Sequence, residues 1–228
     1  KNLMVLPDAE AINHFFADEM AKEISSPNSN TYIFPYGPVG QYPLLINQLN
    51  KNNISLNTCT IFFMDEYADS LGVEVPETHP LSFKRRAWTY FEKLNNNLLT
   101  SREKIIFPSS NNISSLASRI EKLGGVDTCF GGIGIHGHMA FNEPAEGVSE
   151  TDPAIVELNN FTITINAVRE SIGGDIYNFP KKALTVGMRQ ILNSKRILLS
   201  CRNGLDEIDW ANTILRIALL GEIGDDFP

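Results

Sequence analysis

The chain has 228 residues, 43% of them hydrophobic and 20% charged, enough apolar material to bury a core without disulfide or metal staples. Nineteen Lys plus Arg face 27 Asp plus Glu, a formal charge of −8, which excludes a general nucleic-acid or membrane-surface binder because both need a concentrated positive field. The three cysteines sit in or beside apolar runs and read as buried reduced thiols. With no apolar run near the roughly 20 residues of a membrane span, a cytoplasmic setting is the default.

Asp8 can cap a first helix over residues 9–24, whose Ile12, Phe15, Phe16 and Met20 form an apolar stripe. A short strand is predicted at 32–34, then a Pro/Gly loop (Pro35-Tyr36-Gly37-Pro38-Val39-Gly40) and a helix through 44–49. Residues 59–63 read as a strand without polar alternation, as suits a parallel strand covered on both faces. A helix around 82–94, a short strand at 104–107, a helix over 114–123 and a strand over 126–130 follow. The stretch 143–157 shows no period. Residues 161–165 alternate like a strand, Gly173-Gly174 breaks the chain, and strands at 182–186 and 196–201 flank a short helix over 188–192. A last helix is expected over 206–220, and the chain then ends without a further element, as if stopping short of the natural terminus. Alternating strands and helices without a repeat or linker predict one three-layer, Rossmann-like α/β domain over residues 1–228, with a mainly parallel sheet.

In such a sheet, ligands sit at the loops leaving the carboxyl ends of strands. Three loops qualify. The run from Gly131 to Pro144 (GGIGIHGHMAFNEP) packs four glycines into seven residues and carries His136 and His138, two of the chain's four histidines. A glycine-flanked imidazole is poor core filler, and Glu143, five residues beyond His138, can form a carboxylate–imidazole pair that raises the imidazole pKa toward neutrality. Metal binding by His136, His138 and Glu143, with Asp65 as a fourth, is the rival. The i,i+2 histidine spacing is a weak zinc signal and HExxH is absent, so no metal is assigned. The run is also no GxGxxG dinucleotide fingerprint. In the second loop, Met64-Asp65-Glu66-Tyr67, strand geometry would point Asp65 and Glu66 in opposite directions, one to a cleft and the other to structural bonds. The third, after the 32–34 strand, has the position of a phosphate-cradling loop, but it lacks Ser and Thr and includes Pro38, so it reads as a structural turn.

Met64-Asp65-Glu66-Tyr67 with His79-Pro80 and Ser82, Gly131-Gly132-Ile133-Gly134, Gly137-His138-Met139-Ala140-Phe141-Asn142-Glu143-Pro144 and Ala183-Leu184-Thr185-Val186-Gly187-Met188 together resemble the glucosamine-6-phosphate deaminase/isomerase family. The related 6-phosphogluconolactonases share its fold but match less well at Asp65-Glu66-Tyr67 and Asn142-Glu143-Pro144. The resemblance implies that Asp65 is the acid/base moving a proton between C2 and C1 of an open-chain amino sugar. It makes His138 the ring-opening group and Glu143 the carboxylate orienting it. Gly37, Glu66, Gly132, Ile133, Gly134, Lys182 and Arg202 would contact the sugar phosphate, and no cofactor is needed. Residues 151–174 match a mobile lid of relatives, and a homo-oligomer is open to a family with both monomers and hexamers.

The departures concern the same site. His136 stands where the family places an aspartate, so it joins the catalytic set without that residue's charge. The Pro35–Gly40 stretch lacks the hydroxyl donors of the family's P-T-G-S/G-T-P loop. Ile163 falls near a phosphate-binding arginine and Asn203 near a lysine, leaving Arg169, Lys181, Lys182 or Arg202 to compensate. The expected function is therefore amino-sugar phosphate deamination with aldose–ketose isomerisation. A non-catalytic sugar-phosphate sensor and a 6-phosphogluconolactonase-like hydrolase are the alternatives.

Overall fold

A computed structural model describes residues 2–170, 173–203, 210–222 and 224. Helix α1 (Ala9–Ile24) starts where Asp8 accepts a 2.8 Å bond from the Ala11 N–H, and it buries Phe16, Ala17, Met20, Ala21 and Ile24 along one helical stripe. Strand β1 (Thr31–Phe34), helix α2 (Gln41–Asn52), strand β2 (Thr60–Phe63), helix α3 (Phe83–Phe91) and the two-residue strand β4 (Ile105–Ile106) follow the predicted order. Pro43 is tolerated in α2 because it occupies the first turn, where N–H groups have no intrahelical acceptor. Helix α4 (Leu116–Lys122) leads into strand β5 (Thr128–Gly132), while helix α6 (Met188–Leu192) precedes strand β8 (Arg196–Ser200).

These strands build a five-stranded sheet in the order β4-β2-β1-β5-β8, every pairing parallel. Alternate residues of each strand serve opposite faces. Tyr32, Phe34, Ile61, Phe63 and Phe130 pack with α1, α2 and α3, whereas Ile33, Phe62, Ile106 and Cys129 pack with α4 and α6. Both faces being covered explains the unbroken apolar runs, and each fully buried aromatic or aliphatic side chain contributes about 1.5–3 kcal/mol over its exposed state. Cys59 and Cys129 are buried free thiols and Cys201 is half-buried, and no helix among the described residues is long and apolar enough to cross a membrane.

The structure adds a second sheet. Strand β3 (Asp65–Ala68) follows β2 after Met64 alone and pairs antiparallel with β7 (Lys182–Thr185), which pairs antiparallel with β6 (Ala154–Glu157). So the 182–186 segment, expected in the parallel sheet, lies in this smaller one, and β6 comes from the stretch without a period. Residues 161–165, expected as a strand, belong instead to helix α5 (Asn160–Arg169). There the Asn159 side chain caps the helix by accepting from Thr162 N–H at 2.8 Å, and Thr162, Ile163 and Ala167 share the buried face. Residues 151–174 thus contain β6 and α5. Helix α7 is described over Ala211–Leu220, and the expected start near residue 206 lies outside the described residues.

Candidate active site

Between β1 and β5 the strand order reverses, since β1 continues to β2 on one side while β5 flanks it on the other. Loops leaving such neighbours diverge and open a crevice. Here the loops after β1 and β5 enclose a cavity of about 720 Å³. Gly132 permits the two loops to touch, because a Cβ on it would stand 3.1 Å from Gly37 O and 3.3 Å from Pro38 Cδ. The β1 loop is pinned from α2, whose Tyr42 hydroxyl donates to Pro35 O and whose Gln41 Nε2 donates to Pro38 O at 2.6 Å. The Gly37–Pro38 peptide is cis.

Asp65 enters this cavity from the β2–β3 junction. The backbone is fixed by Met64, whose N–H donates to Phe34 O at 3.0 Å and whose O accepts from Val186 N–H at 2.8 Å. Asp65 keeps only 8% of its accessible surface and has no side-chain hydrogen bond or ion pair among the described residues. Burial, reinforced by the adjacent Glu66 carboxylate, pushes its pKa up to about 8. Glu66 points the other way, as strand geometry requires. Expected among the sugar-contacting groups, it is instead absent from the cavity and holds the start of α3: it accepts from Ser82 Oγ (3.0 Å), Phe83 N (2.9 Å), Lys84 N (2.8 Å) and Tyr67 N (2.9 Å). Glu66→Gln, which puts an NH2 group against N–H donors, is expected to cost about 1–3 kcal/mol and lower the melting temperature by several degrees. Turnover per folded molecule should stay within a few-fold of the parent.

The β5 loop supplies the imidazoles. Its tight turn is closed by Gly134 N–H donating to His138 O (2.9 Å) and Gly137 N–H to Gly134 O (3.0 Å), with Gly137 at φ +89°. Gly134 cannot be larger, since a Cβ there would lie 2.2 Å from the His138 ring. Downstream, Asn142 Nδ2 donates to Met139 O (3.1 Å) and Val186 O (2.9 Å), which ties the loop to the end of β7. Ile133 and Gly134 line the cavity, with their N–H groups engaged by Ser200 O and His138 O.

Glu143 stands behind both histidines. Its Oε1 accepts from Thr162 Oγ1 of α5 at 2.6 Å, which aims Oε2 at the imidazoles. Its closer partner is His136 Nε2, and His138 Nδ1 lies 3.7 Å away, so the expected His138–Glu143 pair has become a triad with His136 in the middle. The two Nδ1 atoms are 3.4 Å apart. His138 alone of the three lines the cavity. The expected rise of its pKa is reversed: burial dominates over Glu143 and holds the ring down at about 4, so His138 is neutral near pH 7. Glu143 is held below its ordinary value, the bonds from His136 and Thr162 outweighing its burial.

Of the other expected contacts, Gly37, Gly132 and Arg202 reach the cavity, while Lys182 pairs with Glu157 Oε1 at 3.1 Å on the small sheet and does not. Sequence reading missed Arg86 and Tyr36 on the cavity wall. Arg86 lies 5.4 Å over the Tyr36 ring and binds Glu170 Oε2 at 2.5 Å, closing the rim between α3 and the end of α5. Arg169 also lines the cavity, over the Trp210 ring at 5.6 Å, whereas Lys181 bonds Ile176 O. Ile163 is buried in the core. Asn203 Oδ1 accepts from Trp210 N (3.1 Å) and Ala211 N (2.8 Å) at the start of α7.

Fold and site together define an α/β protein in which a parallel sheet delivers a shielded carboxylate and a neutral imidazole to one cavity. No family model matches the chain. Curated proteins do. A glucosamine-6-phosphate deaminase of Borreliella burgdorferi is 34% identical over 211 residues, spanning 86% of this chain and 74% of that protein. One of Phocaeicola vulgatus is 30% identical over 212 residues, 87% and 76% of the two chains. A solved structure of a monomeric glucosamine-6-phosphate deaminase, a missing link of the NagB superfamily, matches with TM-score 0.84 at 27% identity over 100% of this chain and 91% of that one. The 6-phosphogluconolactonase of Thermotoga maritima shares the fold at TM-score 0.63 and 14% identity, over 95% and 88% of the chains. The chain belongs to the glucosamine-6-phosphate deaminase family.

Proposed function

We propose that this protein deaminates and isomerises an amino-sugar phosphate of the glucosamine 6-phosphate type. The observation that carries the reading is the placement, in one cavity of a family member, of a carboxylate poised near pH 8 and a neutral histidine. Neutral His138 takes the anomeric hydroxyl proton and returns one to the ring oxygen, breaking the C1–O5 bond and freeing the aldehyde. Ionised Asp65 then removes the C2 proton while a proton of the C2 ammonium group passes to O1, giving a neutral enolamine, and Asp65 delivers its proton to C1. The resulting C2 iminium adds water and expels ammonium, leaving the ketose phosphate. Such proton transfers suit groups whose pKa lies near the working pH.

For the phosphate, Arg169 and Arg202, two cations on the cavity wall, take the place of the missing loop hydroxyls. Charge-assisted hydrogen bonds contribute about 1.5–3 kcal/mol. Arg169→Ala and Arg202→Ala should therefore each raise KM for the phosphorylated sugar about tenfold or more with little change in kcat. A fall in kcat at unchanged KM would remove them from this role.

The deciding experiment follows ammonium and ketose phosphate together from glucosamine 6-phosphate, with unphosphorylated glucosamine in parallel. Equimolar products from the phosphorylated sugar are expected. No turnover, with the sugar phosphate bound and returned unchanged, would overturn the catalytic reading.

A further inference from the structure

His136, His138 and Glu143 present one donor atom each within 4.8 Å of one another. The His138 Nδ1 atom is 3.4 Å from His136 Nδ1 and 3.7 Å from Glu143 Oε2. An N–H···N bond of that length is weak, whereas donors around a tetrahedral Zn²⁺ with bonds of about 2.0–2.1 Å stand about 3.4 Å apart. The donor set also fits in kind. Two imidazoles and a carboxylate are a combination used for zinc, while an aspartate at position 136 would have made the set oxygen-rich and harder. The surroundings supply a support that metal ligands need, since Thr162 Oγ1 donates to Glu143 Oε1 at 2.6 Å and fixes the carboxylate. The three side chains keep 14–23% of their exposure, and His138 opens onto the cavity, which gives an ion a way in and water a fourth position.

We propose that His136, His138 and Glu143 form a site for one divalent transition-metal ion of the zinc type, and that its occupancy switches off His138 as a proton carrier. An imidazole metallated at Nδ1 keeps its proton on Nε2 and has no lone pair left to accept another. Metal binding and ring opening therefore exclude one another. The inhibitory consequence rests on the deaminase reading, but the site does not.

The test starts from the full chain dialysed against a chelator and titrated with Zn²⁺ by calorimetry. One ion per chain is expected, at micromolar affinity or tighter, weakened about 100-fold by Glu143→Gln and by His136→Ala. Failure to bind, or binding unaffected by both substitutions, overturns the site, the latter placing the ion on other histidines. Because a variant can fail to fold, Co²⁺ is also added to the unaltered chain. Intense tetrahedral visible bands support the site, and weak octahedral ones overturn it. With glucosamine 6-phosphate, saturating Zn²⁺ should stop turnover and chelator restore it; activity that persists with the ion bound overturns the block. A chain that binds Zn²⁺ yet never turns over the sugar would dismiss the deaminase reading and leave the metal site standing.

Discussion

Asp65→Asn is expected to abolish turnover, by about 10²–10⁴-fold or more, and at the same time to make the protein more stable above neutral pH. Both effects come from one cause. The carboxyl has an ordinary pKa of 3.8, and burial lifts it to about 8 in the folded chain. Between those values the folded state keeps a proton that the unfolded state releases, so stability falls as pH rises through that window. Asn imitates the protonated carboxyl and removes the penalty. At about 1.4 kcal/mol per pH unit, with some relaxation of the buried site allowed for, the gain at pH 8 is of order a few kcal/mol, or roughly 5–10 °C in melting temperature. Near pH 4 the difference should vanish. As the base works ionised, kcat/KM of the parent should fall about tenfold per unit as pH drops below about 8. Equal melting curves at pH 4 and pH 8, or turnover within a few-fold of the parent, would remove Asp65 from both roles.

The parts of this architecture that rest on local pattern were readable from the string. Strands β1, β2 and β5 announce themselves as apolar runs because helices cover both faces, and Asp8 marks a helix start by its capping chemistry. The opposite directions of Asp65 and Glu66 followed from the period of two, although which of them met the cavity did not. What escaped depends on distant partners. Strand β6 is identified by its pairing with β7, since its own burial is partial and alternating. The alternation of Phe161-Thr162-Ile163-Thr164-Ile165 mimics a strand until Asn159 is seen to cap it as a helix. The triad was half legible. Spacing brought Glu143 within reach of an imidazole, but a loop with Gly137 and Ala140 both at positive φ decides which one it meets first. The depressed pKa of His138 was out of reach, because burial depends on all that packs around the ring.

His138→Asn carries the second large effect, and its kinetic form separates it from Asp65→Asn. The substrate of an enediol-type isomerisation is the open-chain sugar, which exists in water as a trace in slow exchange with the pyranose. An enzyme that has lost ring opening but kept its base must wait for that exchange. With His138→Asn, the rate should drop about 10²–10⁴-fold at ordinary enzyme concentration and then stop rising as more enzyme is added, reaching a ceiling set by spontaneous opening. Asp65→Asn has no such ceiling, because its slow step occurs on the enzyme and its rate scales with enzyme throughout. Gly134→Ala should shift toward the His138→Asn pattern, since a methyl at 2.2 Å from the imidazole forces the ring away from its place. The measurement is initial rate against enzyme concentration at fixed glucosamine 6-phosphate. A plateau in the His138 variant assigns ring opening to this imidazole, and a straight line through the origin would assign it elsewhere.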